Sequence, residues 1–198
     1  MALMERSRTD HVDLRVVEQG DGLDTLRALV DDVPDVVVVA MQPGGIHPLQ
    51  LCRVVADRAP VCRVLVQAAP EEAANSYQAL RVGAWGCLET GRPGDLHDAA
   101  EAVARGEAVL PPRHAAWVLR ELDDGETPDA GAAPSADRLT ATERTVLRLL
   151  GEGATTEAIS DHLGVSARVA GRHAGSAVAR LHRRYRRMSA PVQGRPGS

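Results

Sequence analysis

The run Asp123 to Ala136, DDGETPDAGAAPSA, constrains this chain more than any other stretch. It holds no large apolar residue, and its Asp, Gly, Pro and Ala content favours turns and extended backbone over packing. It reads as a linker, so the residues before it and those after it are each expected to form a domain. The charge divides at the same place. Residues 1–138 carry 13 arginines against 23 Asp and Glu, a net −10, and residues 139–198 carry 10 arginines against 4 acids, a net +6. An acidic body joined to a basic C-terminal part suggests a partner that is nucleic acid or a membrane surface.

Before the linker, two kinds of apolar spacing alternate. Val12, Leu14 and Val16 repeat every second residue, as in a strand, whereas residues 1–9 show no periodicity and are expected to fray. Leu23, Leu26, Leu29 and Val30 then follow helical spacing up to Val33-Pro34. Val36 to Val39 is a β-branched run, the signature of a parallel strand buried on both faces. Helical spacing at Leu49, Leu51, Val54 and Val55, a strand over 61–66, a helix over 71–82, a strand over 85–88 and a helix over 95–105 continue the pattern. Pro111-Pro112 opens one more helix through Trp117 and Val118. Strands alternating with helices of this length argue for βαβ units and a parallel sheet.

After the linker every segment reads as helix. Thr140 or Thr142 can cap a helix carrying Val146, Leu147, Leu149 and Leu150, which Gly151-Glu152-Gly153 ends. Thr155 caps a second helix with Ile159 and Leu163. Gly164-Val165-Ser166 turns the chain into a third, carrying Val169, His173, Ala177, Val178 and Leu181. Two short helices, a glycine turn and a longer third helix form the helix-turn-helix pattern.

Composition closes off other classes. Apolar residues make up 44% and charged residues 25%, an ordinary globular balance. The densest apolar run, Val36 to Met41, falls far short of the roughly 18–20 residues of a membrane span. No signal peptide opens the chain, so a cytoplasmic location is expected. Cys52, Cys62 and Cys87 are odd in number and lack CxxC spacing, which argues for buried thiols over a disulfide framework or zinc site. All 23 basic residues are arginine, and phenylalanine is absent. Chemistry that needs a lysine amine is excluded, and the core must be built from Val, Leu, Ala and two tryptophans. His47 and His114 have no nucleophile at telling spacing, and His173 reads as a packing residue. Trp85 and Trp117 read as core or interdomain packing. No catalytic constellation, metal site or cofactor motif emerges, and an enzyme is not expected.

Residues 139–181, LTATERTVLRLLGEGATTEAISDHLGVSARVAGRHAGSAVARL, resemble without a gap the DNA-binding domain of NarL/LuxR-type response regulators. The matching positions include Leu139, Thr140, Glu143, Val146, Leu147, Gly153, Ile159, Leu163, Val165, Ser166, His173 and Leu181. The stretches DLRVVEQGDGLDTLRALVDDVPDVVVV and VLVQAAPEEAANSYQALRVGAWGCLE resemble the receiver domain of the same family, entered at its second strand. The resemblance implies an incomplete flavodoxin-like α/β receiver over residues 10–122. A linker (123–138), a LuxR-type helix-turn-helix domain (139–188) and a disordered tail (189–198) follow. In a working receiver, a magnesium-binding acidic pair, a phosphoryl-accepting aspartate, a hydroxyl and a lysine meet at the carboxyl ends of the strands. Here the phosphoacceptor position is Ala40, the hydroxyl position Ala68 and the lysine position about Thr90. Asp35 stands at the start of its strand and reads as a bystander. The chain before the second strand is too short for the family's first strand and helix, which would leave a sheet edge open to pairing.

The resemblance further implies double-stranded DNA as a partner. Arg168 and Arg172 would reach the major groove, where arginine grips guanine bidentately. Gly171 and Gly175 share that face and would let the backbone come close, although each costs about 1 kcal/mol in a helix and could fray it. Val169, His173, Ala177 and Leu181 would pack inward. Arg180, Arg183, Arg184, Arg186 and Arg187 are candidates for phosphate contacts, and Ser166 and Ser176 complete the set. The expected function is a DNA-binding transcriptional regulator acting independently of aspartyl phosphorylation. Its receiver-like domain would serve for homodimerisation or for a partner regulator. The alternative is a protein-interaction adaptor with a decayed DNA-binding domain.

Overall fold

The computed structural model describes residues 2–8, 11–17, 33–41, 47–89, 93–123 and 138–189. β1 (Ala2–Arg8), β2 (His11–Val17) and β3 (Val36–Ala40) come first. α1 (Pro48–Arg58), β4 (Arg63–Ala68), a short 3-10 turn (Pro70–Glu72), α2 (Ala73–Val82) and β5 (Ala84–Glu89) follow. α3 (Pro93–Ala104) and α4 (Pro112–Asp123) precede three further helices, α5 (Ala141–Gly151), α6 (Thr156–Leu163) and α7 (Ala167–Ser189). The helix expected over 23–30, the turn at 42–45, the linker residues 124–137 and the tail beyond 189 lie outside the described residues.

β3, β4 and β5 run parallel, joined by helical crossovers, and form the receiver-like sheet. Val37 and Val39 face one side and Val36 and Val38 the other, all almost fully buried, because successive side chains of a strand point to opposite faces. The first side packs on α1, α2 and α4, and the second on Ala99, Ala100 and Val103 of α3. With no phenylalanine to fill volume, small residues close the gaps, including three free buried cysteines. Burial pushes the thiols of Cys52 and Cys62 up to about 12 and that of Cys87 to about 11, so they behave as small apolar groups.

The N-terminus departs from expectation. Ala2–Arg8 does not fray: it pairs antiparallel with β2 on one side and β3 on the other, giving the order β2-β1-β3-β4-β5. The sheet edge expected to stand open beside β3 is thus filled by the chain itself. The physical reason is the row of unpaired backbone groups on β3, which orders a segment with no periodicity of its own.

Helix ends follow local chemistry. Pro48 opens α1 and His47 Nδ1 accepts from the Leu49 amide. The apolar core then crosses from the α/β part into the helical part without a break: Leu122 of α4, Leu139, Leu147 of α5, and Val178 and Leu181 of α7 belong to the same cluster as Val37 and Val66. The parts on either side of the linker share one apolar core. Among the described residues, no helix is long and apolar enough to cross a membrane.

Candidate nucleic-acid interface

The helix-turn-helix is set by its caps. Thr140 Oγ1 accepts from the Glu143 amide at 3.1 Å while the Glu143 carboxylate accepts from the Thr140 amide at 2.7 Å, a reciprocal box that starts α5. Thr155 accepts from the Ala158 amide to start α6. Gly164 at φ +65° ends it in the left-handed conformation that glycine adopts without steric cost. Ser166 Oγ then accepts from the Val169 amide at 3.3 Å and starts α7. Val146, Ile159, Ala170 and Ala174 pack between the three helices.

α7 presents three faces. Ala170, Ala174, Ala177, Val178 and Leu181 are buried, whereas Val169, expected inside, is exposed and His173 is half-buried. The inward stripe is therefore rotated one position from the expected one, because alanines can pack as closely as valine when the facing helices approach. Arg168, Arg172 and Ser176 lie exposed along a second edge. The third face carries Gly171 and Gly175, which are buried against the α/β part. A Cβ on Gly175 would stand 2.2 Å from the Gly106 carbonyl oxygen, and one on Gly171 would stand 2.8 Å from Glu107 Oε2. The Ala108 amide donates to the Gly171 carbonyl at 3.2 Å. The glycines do not fray the helix. They form a seat for residues 106–108, and that contact offsets their helix cost. Glu107, Gly106 and Ala108 are the partners that reading the helix by itself could not find.

Several expected phosphate contacts are engaged inside the chain. Arg180 Nε donates to both carboxylate oxygens of buried Glu143, at 3.2 and 3.0 Å. Arg184 donates to the Glu121 carbonyl at 2.6 Å, and the Tyr185 hydroxyl donates to the Glu121 carboxylate. These two arginines thus hold helices together, because α7 continues through the arginine cluster to Ser189 and lays its second half on α2, α4 and β5. His182, buried there, donates from Nε2 to the Ala84 carbonyl at 3.0 Å. Burial, with smaller contributions from Arg186 and Arg183, pushes its pKa down to about 4. Arg183 is half-buried, and Arg186 and Arg187 are exposed.

Charge also marks the mouth of the docking seam. Asp95, Asp98, Glu107 and Glu157 line a cleft of about 460 Å³ together with Arg105 and Arg168. Arg105 is bound to Glu107 and Glu101, at 2.9 and 3.1 Å. Arg168 thus faces a wall of carboxylates contributed mainly by the α/β part.

At the carboxyl ends of β3 and β4 the side chains are methyl groups, Ala40 and Ala68, and Met41 beyond β3 is buried, while β5 ends in Glu89, which is paired with Arg113. Thr90 lies outside the described residues. Asp35 sits at the opposite end of β3, where its carbonyl accepts from the Arg63 amide. His114 is buried with Nε2 at 2.7 Å from Ser76 Oγ, and Trp117 stacks on Tyr77. Trp85 meets His182 edge-on across the seam. Each of these aromatic groups is a packing element.

Residues 137–188 match the family described as GerE, bacterial regulatory proteins, luxR family. The chain is 30% identical over 152 residues to the probable transcriptional regulatory protein NarL of Mycobacterium tuberculosis, covering 76% of this chain and 68% of that one. It is 28% identical over 176 residues to the transcriptional regulatory protein LiaR of Bacillus subtilis, covering 85% and 79%. Among solved structures, the RcsB response regulator of Salmonella typhimurium shares 22% identity over 81% of this chain and 76% of that one, with a TM-score of 0.42. A structure of two RcsB dimers bound to two parallel DNAs shares 19% identity over 86% and 83%, with a TM-score of 0.39. The relatives are transcription regulators, not a class of enzyme.

Proposed function

This chain belongs to the NarL/LuxR-type response regulators, and from that premise we propose that it binds double-stranded DNA and regulates transcription without aspartyl phosphorylation. The observation that carries the reading is the pairing of Ala40 and Ala68 at the carboxyl edge of the sheet with a fully capped helix-turn-helix. A methyl group cannot accept a phosphoryl group, and a chain without lysine has no amine to neutralise one.

Arg168, Arg172 and Ser176 form the reading edge of α7, with Ser166 fixing its first turn, and Arg186 and Arg187 supply charge toward phosphates. Gly171 is assigned to the seat on Glu107. DNA must therefore compete with residues 106–108 for the flank of this helix. Arg168 shares its cleft with carboxylates that disfavour a phosphate there, so DNA must bring enough other contacts to offset them. The α/β part serves as the surface for a second copy or a partner regulator.

The test is fluorescence anisotropy of the full chain on promoter duplexes across a salt series. Binding should weaken steeply with salt as counterions are released. Arg168→Ala and Arg172→Ala should each cost about 1–3 kcal/mol if they read bases. Absence of binding at low salt, for the native chain and for a Gly175→Ala variant with an opened seam, overturns the reading. That outcome would favour the second one, an adaptor whose helix-turn-helix serves only as a docking module. The glycine seat and the Glu121 clasp are what speak for it.

A further inference from the structure

We propose that the cleft between the start of β5 and the second half of α7 binds a small multivalent anion of the phosphate-ester class. The cleft encloses about 220 Å³ and is lined by Asp57, Arg81, Trp85, His182, Arg183 and Arg186, among others. Arg81 is paired with Glu121 at 3.2 Å and Asp57 with Arg53 at 3.9 Å, so the charge offered to an anion comes from Arg186, with Arg183 beside it. Arg183 and Arg186 lie one turn apart on α7 and present their side chains to the same side. Guanidinium groups so placed can fork a tetrahedral oxyanion with parallel charge-assisted hydrogen bonds.

Three features mark the place as more than a charged surface. Arg186 makes no hydrogen bond or ion pair among the described residues. Arg81 Nε is buried without a hydrogen-bond partner, although its Nη2 reaches Glu121 at 3.2 Å. The two α7 arginines also act together on one point, since both help to keep His182 neutral. The wall opposite them is rigid: the Gly83 backbone lies so close to α1 that a Cβ would stand 2.4 Å from that of Ala56, and Arg63 covers the Trp85 ring at 4.9 Å.

The volume selects the ligand. It is below the roughly 300–1,000 Å³ typical of organic ligand pockets, so it suits a phosphate or pyrophosphate group, free or at the end of a larger ester. DNA also offers phosphates, but Asp57 on the far wall opposes a continuous polyanion more than a single recessed group. An anion held there would touch both the α/β part and α7, and would tighten the seam that covers the glycine seat. The site lies at the opposite end of α7 from Arg168 and Arg172, so base reading by that edge does not depend on it, and Arg186 is the one residue it shares with the phosphate contacts.

The experiment is calorimetric titration of the full chain with inorganic phosphate and with pyrophosphate, at constant ionic strength set by chloride. Saturable binding at millimolar concentration or tighter is expected, with a rise in melting temperature that follows mass action. Arg186→Ala should weaken binding about tenfold or more, the worth of a charge-assisted hydrogen bond. Arg186→Lys should restore part of it, and Arg187→Ala should leave it unchanged. Linear, unsaturable heats, or equal binding by Arg186→Ala, overturn the proposal. So does a result in which only duplex DNA, and neither small anion, loses affinity on substitution of Arg186.

Discussion

The carboxyl edge of the sheet and the helix-turn-helix sit in one molecule and keep opposite things. At the first, the strands are as deeply buried as strands can be, yet the positions where chemistry would sit are Ala40 and Ala68. At the second, the polar devices are in place: the Thr140–Glu143 box, the Thr155 cap, the left-handed Gly164 and the Ser166 cap. The difference teaches that a fold can be held by apolar packing after its reactive groups are gone. A binding surface, by contrast, depends on caps and charges that fix where side chains point. The two regions meet at a seam where Gly171 and Gly175 lie against residues 106–108.

The sharpest test of the comparison is whether the two regions are separable at all. Leu181 is fully buried in the core they share. Leu181→Ala should cost about 2–5 kcal/mol, and calorimetry should show one transition moving down as a whole. Two transitions, with only one displaced, would mean that the regions fold separately and the comparison concerns two bodies.

Gly175→Ala probes the seam itself. Its methyl would meet the Gly106 carbonyl, so the contact should lose about 1–3 kcal/mol through overpacking. Residues 105–109 should become accessible to hydrogen exchange, and DNA affinity should rise as α7 is freed. Unchanged protection would show that the helix yields and the seat is not specific.

The histidines give the smallest effect. Burial lowers the pKa of His182 and His114 to about 4 each. A group whose folded pKa lies below its unfolded value of about 6.5 binds fewer protons in the folded state. Its contribution is therefore fully present above about pH 6.5 and is lost as the pH falls toward 4. Stability should drop in that window by at most about 1.4 kcal/mol per pH unit for each histidine. His182→Gln should flatten the slope in urea titrations at stepped pH. An unaltered slope would mean that this seam histidine stays accessible to protons.

Much of this arrangement is written in local sequence. The valine runs of β3 and β4, the prolines opening α1 and α4, and the threonine and serine caps act through neighbours within a turn or two, so spacing reveals them. β1 is not legible, because its order comes from the free edge of β3 and not from its own residues. The glycine seat is hidden for a related reason: within a helix glycine reads only as a cost until the segment at 106–108 is brought against it. Helical spacing places Arg180 and Arg184 on particular sides of α7, but only the tertiary fold puts Glu143 and the Glu121 carbonyl there to take them. The linker composition signals a break in the chain and says nothing of the apolar core that the parts on either side of it share.

The central claim is tested most directly on one sample carried through two readings. The full chain is incubated with magnesium and a small-molecule phosphoryl donor, weighed by intact mass spectrometry, and titrated with its promoter duplex beside an untreated control. The account predicts an unchanged mass and the same salt-dependent affinity in both. A phosphoryl group found on an aspartate, together with tighter DNA binding, would contradict it.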